Sequence, residues 1–427
     1  MITQKNLTLF IIGVVVLSPL SSYIMLDSLP LPLYLPELLL LPFIFLLRST
    51  SNRILKLFIN RKVFIYFCVA TFFIVWVAVY SVFFNQLGAY SAFSTARGYF
   101  YLIIAAIISY HMNAPRVKEL WLVTAGVMVG TLLFGELLWQ SLQFGETARV
   151  YPNMPALYIL VISGLLTRQP IIIVMTLFLA VGVTFESGVR RPLIPIGAGL
   201  VGYLLLVGMK KRLGFQRRIR ALLAAGGAIA ITLVFLPTII RFLSPNEYQY
   251  SRLVDRAYQL FFVGELDNSD SHRLRSAQMV FSSWDQFWIP KGFIAKQTSI
   301  TGRGLFTDFP IYEFFYMLGS IPALILFLFL SLSFFRAFRA EIRKPSLDAD
   351  SVASTSGLLF AGLLLVSGTF LHYTYEVVFT GWLLGRLFVL AQKGRRESRT
   401  SNAKVPKSNA AASGTKQPTS GKRVKPI

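Results

Sequence analysis

Between residues 241 and 308 the chain gathers side chains that do chemistry: Asp267, Asp270, His272, Arg273 and Arg275 in close succession, then Trp284, Asp285, Trp288 and Arg303. A guanidinium stays charged and offers a planar fork of donors that matches phosphate oxygens. A histidine beside carboxylates takes up and releases a proton near neutral pH. His272 is therefore a candidate general base, with Asp270, Asp308 and Glu313 as its competitors. Further arginines stand alone between apolar runs: Arg97, Arg149 and the pair Arg190 and Arg191, which follows the turn Glu186-Ser187-Gly188. As a ring of forks they suit a diphosphate; the plainer alternative is that they snorkel to headgroups and anchor helix ends. Trp284, Trp288 and Tyr312 add aromatic faces of the kind that anchor at a membrane interface.

The elements that must position these residues are apolar. Of 427 residues 55% are hydrophobic and 14% charged, with a mean hydropathy of +0.60, whereas a soluble domain carries about a quarter charged residues. The expectation is an all-α integral membrane protein of about twelve transmembrane helices and one long outer loop with short amphipathic helices. Candidate spans lie at 7–26, 31–47, 63–84, 98–112, 120–139, 154–167, 170–185, 192–209, 221–240, 310–335, 352–371 and 377–392. This divides the chain into transmembrane helices over 1–240, a large loop over 241–309, further transmembrane helices over 310–392 and a disordered basic tail over 393–427.

Charge distribution sets the orientation. A cytoplasmic N-terminus places most of the 42 Lys and Arg inside: Lys5, those of 48–62, Arg116 and Lys118, Arg168, the runs 210–220 and 336–344, and the tail. The long loop then lies outside, and Arg97, Arg149, Arg190 and Arg191 are outward exceptions. The formal charge of +23 thus reads as topology, and no nucleic-acid partner is expected. Membrane lipids are, with the tail free to meet anionic headgroups.

Within the loop, Leu274, Ala277, Phe281, Trp284 and Trp288 fall on one helical stripe, so 271–288 should form a helix lying on the outer leaflet. Its first turn holds His272, Arg273 and Arg275. Glu37, Glu136 and Arg386 fall within spans, where ionisable groups are either functional or internally paired. The single cysteine, Cys68, permits neither a disulfide nor a thiolate metal site. No phosphate-binding loop, dinucleotide fingerprint or metal-ligand spacing occurs, so neither cofactor nor metal is expected.

Three segments resemble the O-antigen polymerase and ligase family of bacterial membrane glycan-assembling proteins: TFESGVRRPLIPIGAG, RLRSAQMVFSSWDQFWIPKGF and TDFPIYEFFYMLGSIPALILFLFL. The resemblance covers about residues 180–330. It implies a GT-C-like membrane glycosyltransferase in the bacterial inner membrane, with both termini cytoplasmic and the site periplasmic. Such an enzyme polymerises undecaprenyl-diphosphate-linked oligosaccharide repeat units into O-antigen or exopolysaccharide without a metal, with a chain-length regulator and a flippase as candidate partners. Arg190, Arg191, Arg273 and Arg275 would then hold the donor diphosphate, with Arg97 and Arg149 as secondary contacts, and Trp284, Trp288 and Tyr312 would stack on sugar faces, although interfacial anchoring explains these aromatics equally well. Asp308 stands where ligases commonly have histidine, and the turn Lys291-Gly292-Phe293 has a single glycine; both favour polymerase over transfer to lipid A-core. The rival from another class is a flippase or transporter of an anionic lipid-linked sugar, which would place charge along a central path through pseudo-symmetric halves.

Overall fold

The computed structural model describes residues 4–19, 25–26, 33–34, 61–84, 88–111, 113–133, 152–187, 191–210, 216, 219, 223, 226–227, 288, 290, 292, 310–344, 346–366 and 374–403. The described elements are helical except for one antiparallel pair, β1 (Met25–Leu26) with β2 (Leu33–Tyr34). In order the helices are α1 (Gln4–Val15), α2 (Arg61–Phe84), α3 (Ala89–His111), α4 (Val117–Leu133), α5 (Met154–Thr167) and α6 (Pro170–Ser187). After them come α7 (Leu193–Met209), α8 (Pro310–Leu318), α9 (Ser320–Arg343), α10 (Ala349–Ser354), α11 (Ser356–Val366) and α12 (Thr374–Ala403). The polar, helix-favouring residues Lys393, Arg395, Arg396 and Glu397 let α12 continue past residue 393.

The expected helical class is what forms, but the expected number of about twelve spans is corrected. Among the described residues a single helix, α9, is both long and apolar enough to cross a membrane. Hydropathy registers apolar content without helix length or what covers the helix. The segment 154–167 becomes α5, whose 14 residues include a run from Met154 to Leu166 buried throughout; at about 1.5 Å per residue it falls short of a hydrocarbon core about 30 Å thick. It is a core helix, apolar because protein surrounds it. The window 310–335 breaks at Gly319 into α8 and α9, and the window 352–371 falls partly on α10 and partly on the eleven residues of α11.

α9 is amphipathic in the inverted sense. Ser320, Ala323, Ser333, Ala337 and Ala340 face inward, while Ile321, Leu324, Ile325, Leu328, Leu332 and Phe335 are exposed, Phe335 by 67%. Similar exposed apolar stripes run along α2 (Phe72, Val75, Trp76, Val79) and α6 (Ile171, Val174, Met175, Phe178). Large apolar side chains outside and small or polar ones inside suit a hydrocarbon solvent.

Two glycine pairs draw helices together. Gly126 and Gly130 of α4 approach α1 so closely that a Cβ at Gly126 would strike the Phe10 carbonyl oxygen. Gly381 and Gly385 of α12 do the same against α3, where a Cβ at Gly381 would lie 2.9 Å from the Leu102 carbonyl oxygen. Both pairs have the small-residue spacing that lets helix backbones meet. Ser109 strengthens the second seam by donating to the Trp382 carbonyl at 2.9 Å.

A buried ionic network ties α7, α9, α10 and α12. The Lys210 ammonium, fully buried, donates to Glu341 Oε1 at 2.9 Å and to the Ser346 carbonyl. Ser351 Oγ donates to the same Glu341 oxygen at 2.7 Å, and Lys344 Nζ lies 2.9 Å from Glu341 Oε2. Arg386 donates from Nε to Asp350 Oδ1 at 2.7 Å and from Nη1 to the Ser109 carbonyl at 3.4 Å. Lys344 also lies 3.6 Å from both Asp348 and Asp350, so cations and carboxylates balance. Arg386 is thus internally paired, and Lys210, which the sequence assigns to an exposed connector, is a core cation. Burial works against the Lys344 charge, but its bond to Glu341 and the nearby Asp348 and Asp350 raise it above the ordinary lysine value. Its contribution is therefore present at neutral pH and is lost as pH rises through that raised value.

Removing Asp350 leaves Arg386 buried and without its carboxylate, so Asp350→Ala should lower stability by about 3–5 kcal/mol. The Lys5–Glu119 pair, although 2.7 Å long, leaves Lys5 70% exposed, and Lys5→Ala should produce no measurable shift. Thermal unfolding of both variants in detergent checks this contrast.

Candidate functional site

Three helix starts meet at one end of the molecule. α5 begins at Asn153, whose buried side chain caps it by accepting the Ala156 N–H at 2.9 Å, with Pro155 in the first turn where its missing N–H does no harm. α7 begins after Arg191 and Pro192, and the Arg191 carbonyl accepts the Ile194 N–H at 3.1 Å. α12 begins at Thr374, and Glu376 in its first turn reaches across to α5, its Oε1 accepting the Met154 N–H at 3.4 Å.

Glu376 is 1% exposed, and its Oε2 has no hydrogen-bond partner among the described residues. Burial raises its carboxyl well above the ordinary carboxylate range, opposed by the Met154 N–H and by the positive charge of Arg191. Arg191 itself is half-buried. Here the charge of Arg191, a buried carboxyl whose Oε2 has no hydrogen-bond partner among the described residues and the positive ends of helix dipoles lie near one another. That combination can hold an anion and move a proton beside it.

Register adds Arg97 to the same end. α3 and α12 run parallel, with Leu102 and Ala105 opposite Gly381 and with Ala106 and Ser109 opposite Gly385. Arg97 precedes Leu102 by the same number of residues as Glu376 precedes Gly381, so the two stand at the same height.

A second feature positions the end of the 241–309 segment. Gly292 has φ +79°, and a Cβ there would strike Ser81 of α2; Gly319 has φ +81°, and a Cβ there would lie 3.1 Å from the Trp288 carbonyl oxygen and 3.2 Å from Pro290 N. The chain around Pro290 therefore passes between α2 and the break that separates α8 from α9. The glycines of Lys291-Gly292-Phe293 and Leu318-Gly319 thus flank one short stretch of backbone. Trp288 is 56% exposed beside it, and Tyr312 lies in α8.

Of the residues singled out by the sequence, Arg97 and Arg191 come to one end, Trp288 belongs with the loop seam, and Tyr312 lies in α8. Arg149, Arg190, Asp270, His272, Arg273, Arg275, Trp284 and Asp308 lie outside the described residues, as do Glu37 and Glu136. Sequence reasoning did not single out Glu376. The signal was present as a carboxylate placed directly before an apolar run. No protein-family model matches this chain, and no curated protein matches it.

Both positive-φ glycines are irreplaceable for steric reasons. Gly319→Ala should destabilise the protein by roughly 1–3 kcal/mol, and limited proteolysis should then cut near Pro290 faster than in the wild type. Unchanged cleavage there would show that the seam does not hold the segment.

Proposed function

We propose that this chain is a membrane glycosyltransferase that polymerises undecaprenyl-diphosphate-linked oligosaccharide repeat units on the periplasmic face of a bacterial inner membrane, without a metal. The observation that carries this reading is Arg191 held half-buried beside the buried Glu376 carboxyl, at the meeting of three helix starts. The resemblance of TFESGVRRPLIPIGAG, which contains Arg191, to O-antigen polymerases supports it. So do the exposed apolar stripes of α2, α6 and α9, which suit a lipid surroundings.

In this reaction the acceptor hydroxyl attacks the anomeric carbon of the donor, and the lipid diphosphate departs with the bonding electrons. Negative charge grows on the leaving oxygen as the bond breaks. A guanidinium beside the leaving oxygen stabilises that growth more than it stabilises the ground state, which is what lowers the barrier. Arg191 takes this role, with Arg97 at the same height and Arg190, Arg149, Arg273 and Arg275 as further donors to the diphosphate. Trp284, Trp288 and Tyr312 are the candidate sugar-stacking faces, and Asp270, His272 and Asp308 remain the loop's candidates for proton transfer.

Arg191→Ala should reduce polymer formation by about a hundredfold or more with protein level unchanged. The readout is polysaccharide length in cells, together with release of undecaprenyl diphosphate by purified protein in lipid vesicles. Normal-length polysaccharide in the variant would overturn the assignment. Accumulation of single repeat units in cells lacking the protein is expected; accumulation of long lipid-linked chains would favour a ligase, and movement of intact lipid-linked sugar across vesicles a transporter.

A further inference from the structure

The buried carboxyls among the described residues divide into two kinds. Glu341 and Asp350 have cations against them: Lys210 and Lys344 take the two oxygens of Glu341, and Arg386 with Lys344 engages Asp350. Glu376 is different. Its Oε1 accepts the Met154 N–H, its own carbonyl accepts Thr380 Oγ1 at 3.0 Å, and its Oε2 is left without a partner among the described residues. Buried polar atoms are almost always hydrogen-bonded, and an exception calls for a role. A purely structural cap on α5 would require only one oxygen.

We propose that Glu376 is the proton acceptor of the transfer, with Oε2 taking the proton of the acceptor hydroxyl; this rests on the glycosyl-transfer reading above. The hydroxyl oxygen forms its bond to the anomeric carbon while the bond from that carbon to the diphosphate oxygen breaks. The electron pair leaves with the diphosphate, and the proton passes to Oε2. An attacking hydroxyl becomes positive as it bonds, which is unfavourable beside Arg191 unless a base removes the proton in the same step. Arg191 and Glu376 therefore divide the work, the cation serving the departing oxygen and the carboxylate the arriving one. The Met154 N–H holds Oε1 and so fixes which oxygen is free. The proposal assigns to Glu376 the proton transfer for which the sequence offered Asp270, His272 and Asp308.

The test uses full-length protein in vesicles of phosphatidylethanolamine and phosphatidylglycerol, supplied with the undecaprenyl-diphosphate-linked oligosaccharides extracted from cells that lack it. Glu376→Gln keeps the size and the hydrogen bond to Met154 and should lower kcat by about a hundredfold or more with KM nearly unchanged, while Glu376→Asp should recover part of the loss. A Gln variant that turns over at the wild-type rate overturns the proposal. Should the variants fail to fold, wild-type protein is treated with a hydrophobic carbodiimide and Glu376 labelling is read by peptide mass spectrometry. Protection of Glu376 by the lipid-linked oligosaccharide supports the proposal, and labelling that the oligosaccharide leaves unchanged overturns it. Wild-type vesicles that elongate no glycan defeat the polymerase reading and this proposal together; active wild type with an equally active Gln variant defeats this proposal alone.

Discussion

Charges buried in a protein interior stay charged only while each is paired, and the pairing of Arg386 with Asp350 is the constraint on which the rest of this arrangement depends. A guanidinium cannot shed its proton to escape burial, so the carboxylate of α10 must meet it wherever α12 is placed. That requirement fixes α12 against α10, and Lys344 and Glu341 carry it on to Lys210 at the end of α7. Immediately before Arg386 lies Gly385, which sets the close approach of α12 to α3. One short stretch of α12 thus carries both a close backbone contact and the charge that locks its rotation. Glu376 lies about 15 Å away along the same helix, at the rise of an α-helix. Its position is therefore set by the network even though it takes no part in it.

Helix seams made by glycine, alanine and serine place the large apolar residues elsewhere. Ala105, Ala106, Ser109, Gly381 and Gly385 occupy the α3–α12 contact, while Trp76, Phe178 and Phe335 are exposed on α2, α6 and α9. In water this distribution would forfeit the free energy of burying each such side chain, about 1.5–3 kcal/mol apiece. In hydrocarbon there is nothing to forfeit, and close packing of small residues supplies the helix contacts instead. The same logic makes α5 unusual. It is apolar all round because protein encloses it, and its capped start at Asn153 becomes an interior surface on which Glu376 can rest.

How far the sequence revealed this depended on what each pattern senses. Helix positions were legible because apolar runs bounded by Pro, Gly and charged residues mark them; 154–167 and 192–209 correspond closely to α5 and α7. The number of spans was not, because hydropathy is blind to burial and to a break such as Gly319, where a single positive-φ residue divides one apolar window into two helices. Arg386, which the fold shows to be paired, was legible by its cost as an interior charge that is either functional or paired. Its partner Asp350 was not, since a carboxylate in the polar stretch after α9 looks like a connector until the fold brings it inward. At the site, Arg191 stood out for being exported against the charge bias, whereas Glu376 needs the α5 start beside it before its free oxygen has meaning.

Burial of Glu376 and partial burial of Arg191 also bear on how strongly they act. Opposite charges separated by a short distance attract weakly in water and several times more strongly where water is excluded. A carboxylate and a guanidinium at such a place would ordinarily close into a direct ion pair, as Asp350 and Arg386 do in the network. Here the α5 start intervenes: the Met154 N–H holds one oxygen of Glu376, and the turn ahead of α7 holds the Arg191 backbone through its bond to Ile194. Each group is tethered to a different helix, so the fold keeps them close without joining them. The Arg191 guanidinium and the buried Glu376 carboxyl are thus held near one another by separate helices. Under the proposed glycosyl transfer, such a placement would favour a bond whose electrons move toward the guanidinium and whose proton moves toward the carboxyl.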